Sequence, residues 1–175
     1  MLRFVKQLRV VVLSALVSVA MSAGAQAQGL VTSTKLSAAL ANELVGETVA
    51  ECKRKGYAVV AVVVDLEGVR QAYLRGDGAP IHSTDNAFYK AYTSASLTLA
   101  RKEDGTKAVA ERIAKAPAST VPQFALPNVT YAVGGVAIKV GDVTIGGLGV
   151  SGAPGGQLDE DCAMAALAKI KDRMK

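Results

Sequence analysis

The stretch YAVVAVVVD, residues 57–65, constrains the fold more than any other part of the chain. β-Branched valines dominate it, and valine is stiff at χ1 and suits a pleated strand better than a helix. No polar residue interrupts the apolar run, so the strand has no face to offer to water. Such a strand belongs inside a sheet, with apolar cover above and below, and helices are the natural cover. Leu66-Glu67-Gly68 turns the chain, and VRQAYLRG, 69–76, alternates as a neighbouring strand should, so the two make a hairpin.

The cover is legible on either side of this hairpin. Residues 35–55 carry Leu36, Leu40, Leu44, Val45, Val49 and Cys52 at steps of three and four, the stripe of an amphipathic helix. Lys53, Arg54 and Lys55 suit its negative end, and Gly56 its stop. A second helix starts at Ser83 or Thr84, either of which can cap it. Its stripe, Ala87, Phe88, Ala91 and Ala95, is mostly alanine, so it packs close to whatever it covers. A short helix fits 106–115, and Pro117 and Pro122 break the chain after it. Residues 129–152 read as strands around a tight hairpin at Gly141-Asp142, with glycine first as a type II′ turn requires. LDEDCAMAALAKIKDRM closes as a helix, acidic at its start and basic at its end. The predicted order is α-β-β-α-α-β-β-β-α: an α/β (α+β) fold with a central antiparallel sheet of about five strands and helices packed on its faces.

The N-terminus carries a different pattern. Arg3, Lys6 and Arg9 precede an apolar run, Val10 to Met21, and then SAGAQAQ. This is the pattern of a secretory signal peptide, residues 1–27, cleaved after Ala25 or Ala27. The run is too short for a membrane span, which needs about 20 apolar residues. The expectation is a single mature domain, 28–175, that is periplasmic or secreted and not embedded in a membrane. Three of the 20 basic residues leave with the signal, so 17 remain against 15 acidic ones. That balance, without a basic run interleaved with aromatics, excludes a nucleic-acid binder. Two cysteines, Cys52 and Cys162, lie on the stripes of the first and last helices. In an oxidising compartment they can pair, and otherwise they are two small buried hydrophobes.

Candidate chemistry is sparse. Gly147-x-Gly149-x-x-Gly152 formally matches a dinucleotide fingerprint, but it lies within and just after a strand and no βαβ unit follows. Its glycines instead permit close approach by another backbone, a ligand or a partner subunit, and the loop after them can point N–H groups at a carboxylate. No nucleophile elbow and no acid/base pair is evident. The one histidine, His82, sits at the positive end of the second helix, a setting that suits the neutral, metal-binding imidazole. Lys90 and Thr93 lie three residues apart on that helix, away from its alanine stripe, and Arg75 precedes the turn. A nitrogen, a hydroxyl and two cations are suitable parts for a metal-bearing ligand with acidic arms. The alternative is a loop histidine among ordinary surface charges.

VVVDLEGVRQAYLRGDGAPIHSTDNAFYKAYTSASL and GGVAIKVGDVTIGGLGVSGAPGGQLDEDCAMAAL, at their spacing, resemble the GlcG/HbpS family over about residues 36–170. The most specific blocks are R-G-D-G-A with K-A-Y-T, and G-V-S-G-A-P-G-G-x-x-D-E. The resemblance implies a compact sandwich, self-assembly into a homo-oligomer, and binding of haem or another tetrapyrrole, with a corrinoid second to haem. In some members it implies haem degradation, or signalling through a membrane sensor. It makes Thr93, in K-A-Y-T, the candidate for a threonine ligand to iron, and His82 is the nearby alternative that this chain supplies; Arg75 and Lys90 would then pair with propionates. Storage, delivery or sensing of haem is the leading function it implies. A small-molecule enzyme or accessory protein in hydroxy-acid or alcohol oxidation is the alternative, beside a ligand-free oligomeric partner of a membrane sensor or transporter.

Overall fold

The computed structural model describes residues 29–120 and 126–174. The expected signal peptide lies outside them. No described helix is long and apolar enough to cross a membrane. Gly29 to Thr32 form no helix or strand, and Ser33–Lys175 make one compact unit.

The valine-rich run forms β1, Val60–Asp65, buried along its whole length. β2, Arg70–Arg75, pairs with it antiparallel, and Val62 faces Tyr73. The second hairpin is β3, Gly135–Val140, and β4, Val143–Ser151, and Gly141 at its turn takes a positive φ of 58°. β4 lies against the free side of β1, so the sheet order is β2-β1-β4-β3, antiparallel throughout. The sequence suggested about five strands; four form among the described residues. Residues 129–134, read as part of the strand region, form no strand. Gly134, at φ 122°, ends that stretch, and Thr130 gives its N–H to a helix side chain instead of a ladder.

Helices cover both faces. On one, α1 (Ala38–Arg54) and α4 (Gly156–Ile170) pack Leu44, Val45, Ala163, Ala166 and Ile170 against Ala61, Val63, Leu148 and Val150. Ser37 caps α1, its hydroxyl accepting from the Leu40 N–H at 3.2 Å. Cys52 and Cys162 meet between these helices in a disulfide, with Cα atoms 5.4 Å apart, so the pairing left open above is settled. The other face is covered by α2 (Ser83–Ser96), whose Ala87, Phe88, Ala91 and Ala95 lie on Val60, Val62 and Val64. α3 (Thr106–Lys115) is tied to the start of β3, where Thr106 Oγ1 accepts the Gly135 N–H at 2.9 Å.

The glycines of G-x-G-x-x-G explain how closely α2 lies. Gly147 and Gly149 pair with Val64 and Val62, so they point at α2, while Leu148 and Val150 belong to the opposite core. A methyl on Gly149 would overlap Ala87 O and the Ala91 N–H, and one on Gly147 would overlap Ala91 O. The helix backbone rests directly on the strand backbone.

Candidate functional site

α2 starts at Ser83, with His82 at its N-cap. The sequence PIHS, 80–83, supplies no capping side chain: the His82 imidazole makes no capping bond and is exposed. Successive steps of four along α2 bring His82, Asn86 and Lys90 onto one stripe. That stripe forms one wall of an open cleft of about 650 Å³. The opposite wall is the loop Gly152–Gly155 with the first residues of α4, and Lys107 and Glu111 of α3 close one end. A volume in this range suits a small organic ligand.

The four residues singled out from sequence do not converge. His82 and Lys90 line the cleft. Lys90 is nearly fully buried and its ammonium is committed, 2.7 Å from Asp159 Oδ2 and 2.9 Å from Val150 O. Thr93 is fully buried, and its Oγ1 accepts the Thr130 N–H at 2.9 Å. Arg75 is exposed, but its guanidinium donates to Ala79 O, and it lines a separate groove of about 390 Å³ with Lys53 and Asp77. Lys90 and Thr93 lie on the face of α2 away from its alanine stripe. That face is roofed by residues 129–134, the stretch that does not join the sheet, which explains both burials.

Sequence reasoning passed over Asn86, Lys107 and Asp159. Asn86 donates to Ser151 Oγ at 3.0 Å. Asp159 is almost wholly buried; burial pushes its carboxyl above the ordinary value, against the pull of Lys90 and the Ala153 N–H. Lys107 is exposed on the cleft. Burial likewise raises the neighbouring Glu160 carboxyl, and the Lys107 charge only partly offsets it. The Gly-rich loop was the one usable signal: it brings the uncapped N-terminus of α4 to the cleft, with Gly155 at the N-cap. Among the described residues no group of three or more His, Cys, Asp or Glu side chains could hold a bare metal ion.

The architecture and cleft define an antiparallel α/β sandwich with a polar cleft that presents the chain's lone histidine. The chain belongs to the HbpS-like family: the family model described as haem degrading protein HbpS-like matches residues 36–168. A double mutant of Streptomyces reticuli HbpS is similar at 32% identity, over 84% of this chain and 94% of that one, with a TM-score of 0.71. HbpS itself is similar at 31% identity, over 84% and 98% of the two chains, again with a TM-score of 0.71. A PduOC:haem complex is similar at 26% identity over 77% and 94%, with a TM-score of 0.65. No curated protein matches the chain.

Proposed function

We propose that this protein binds haem in the cleft between α2 and the Gly152–Gly155 loop, with His82 as an axial ligand. The observation that carries this reading is a single exposed imidazole on the wall of an open cleft. One histidine is too little to hold a bare metal ion but is sufficient for an iron whose equatorial positions a porphyrin fills. Membership of the HbpS-like family and the similarity to a PduOC:haem complex support the same ligand. A corrinoid, which also offers an axial position, ranks second.

In this reading His82 orients the macrocycle from the start of α2. Lys107 and the N–H groups at the start of α4 face its acidic arms. Thr93, whose hydroxyl is spent on Thr130, stands outside the ligand set, and Arg75 serves its own turn. In this reading the protein stores, delivers or senses haem. Export follows from the pattern of residues 1–27, and the Cys52–Cys162 disulfide fits an oxidising compartment. Self-association has a candidate surface in the edge strand β2 and the turn after it, where Tyr73, Leu74 and Ile81 are exposed.

A second reading has one observation in its favour. Lys107 and the uncapped N-terminus of α4 share the cleft, so a small organic anion without iron can occupy it. Haemin titration of the mature chain separates the two. A Soret band that saturates near one equivalent per chain supports haem. Weak, non-saturating spectra, together with thermal stabilisation by a hydroxy acid, would support the anion instead.

A further inference from the structure

The Lys90–Asp159 pair is buried on both sides, with each side chain 3% exposed. Burying two charges is expensive, and well-packed apolar residues would join the same elements at least as firmly. Packing alone therefore does not account for it, but its connections do. Lys90 Nζ holds Val150 O at the end of β4 at 2.9 Å, and Asp159 Oδ2 at the start of α4 at 2.7 Å. Asp159 Oδ1 in turn accepts the Ala153 N–H, in the middle of the cleft loop, at 3.0 Å. One turn up α2, Asn86 ties Ser151 at 3.0 Å.

Gly134 lies over the pair: a methyl there would come within 2.8 Å of Lys90 Nζ and 2.9 Å of Asp159 Cβ. The pair is thus sealed from above, with its bonds directed into the loop. The stripe His82, Asn86, Lys90 has one free member and two tied to the opposite wall.

We propose that Lys90 and Asp159, seconded by Asn86, are positioning residues that set the width of the cleft by holding the 151–155 loop at a fixed distance from His82. They do this without touching the ligand. The proposal rests on the haem reading for its ligand, but its structural half can be read without any ligand.

The test uses the mature protein as wild type, Lys90→Met, Asp159→Asn, Asn86→Ala and the double variant Lys90→Met/Asp159→Leu. Amide exchange at Ala153 is followed without ligand, and haemin affinity at two salt concentrations. Both charge-pair single variants should speed Ala153 exchange about tenfold, as expected for a loop that opens locally. Haemin binding should weaken about tenfold in both, independently of salt, as when the support of a ligand site is removed. Asn86→Ala, at a partly exposed position, should show the same changes to a smaller extent. The double variant should regain the melting temperature of the wild type but not its affinity, a split that a purely structural role would not give.

Unchanged Ala153 exchange in the single variants would overturn the proposal, whether or not the wild type binds haemin. It would also fall if Lys90→Met alone weakened binding, in a salt-dependent way, while Asp159→Asn bound normally; Lys90 would then contact an acidic arm directly. A wild type that binds no haemin but shows the exchange changes would keep the positioning role and remove only the haem reading.

Discussion

Asp65, at the end of β1, accepts four hydrogen bonds: from the N–H groups of Glu67 and Val69, from Gln71 Nε2 at 2.8 Å and from Lys35 Nζ at 3.1 Å. Burial pushes its carboxyl up, but the Val69 N–H, the Lys35 ammonium and the Glu67 N–H outweigh this and hold it below the ordinary value. A lowered folded value means stability that is present above the unfolded value of about 3.9 and is lost as pH falls through the folded one. Asp65→Asn should therefore melt below wild type at pH 7, and the gap should close as the pH drops below about 4. A gap that stays constant across that range would show the carboxylate charge to be irrelevant. At this scale His82 was legible, because a lone histidine beside a helix start is visible in the letters alone. Lys90 and Thr93, set away from the alanine stripe, are buried for a reason the letters do not show. Whether a polar helix face meets water depends on what crosses it, and residues 129–134 carry no pattern that marks them as its roof.

Among the elements, the valine run, the hairpins and the helix stripes were readable because periodicity and β-branching act locally. The alanine stripe of α2 and the glycines of β4 were each noted as signs of close approach; that they approach each other is a long-range fact the letters do not carry. Gly149→Ala tests that contact. Its methyl has no room between Ala87 O and the Ala91 N–H, so the expected loss is about 3 kcal/mol in urea unfolding. A loss under about 0.5 kcal/mol, the range of an ordinary surface substitution, would show that α2 does not rest on β4 in this way. The disulfide joins α1 to α4 across a sequence separation of 110 residues. Loop closure of that length predicts that Cys52→Ser/Cys162→Ser loses about 3–5 kcal/mol, and a chain with free thiols that unfolds like the wild type would contradict it.

For the molecule as a whole, the chain pattern placed helices on both faces of an antiparallel sheet, and the HbpS-like family membership agrees with it. The strand count fell short by one because residues 129–134 lie over α2 rather than in the sheet. The cleft was only half legible: its helix wall was seen, while its loop wall was known as a glycine motif without a place. Its assembly needs the end of β4, α2 and the start of α4 together, which only the tertiary fold supplies. If haem binds there, and binds the folded state alone, haemin should raise the melting temperature in a concentration-dependent way. No shift at saturating haemin would contradict binding to the folded chain.

The most direct test of the haem reading is electron paramagnetic resonance of the ferric haem complex in wild type, His82→Ala and Thr93→Ala. The expected result is an imidazole-ligated signal in wild type that persists in Thr93→Ala and is lost in His82→Ala. An identical signal in wild type and His82→Ala would contradict His82 as the ligand and, with it, the placement of haem in this cleft.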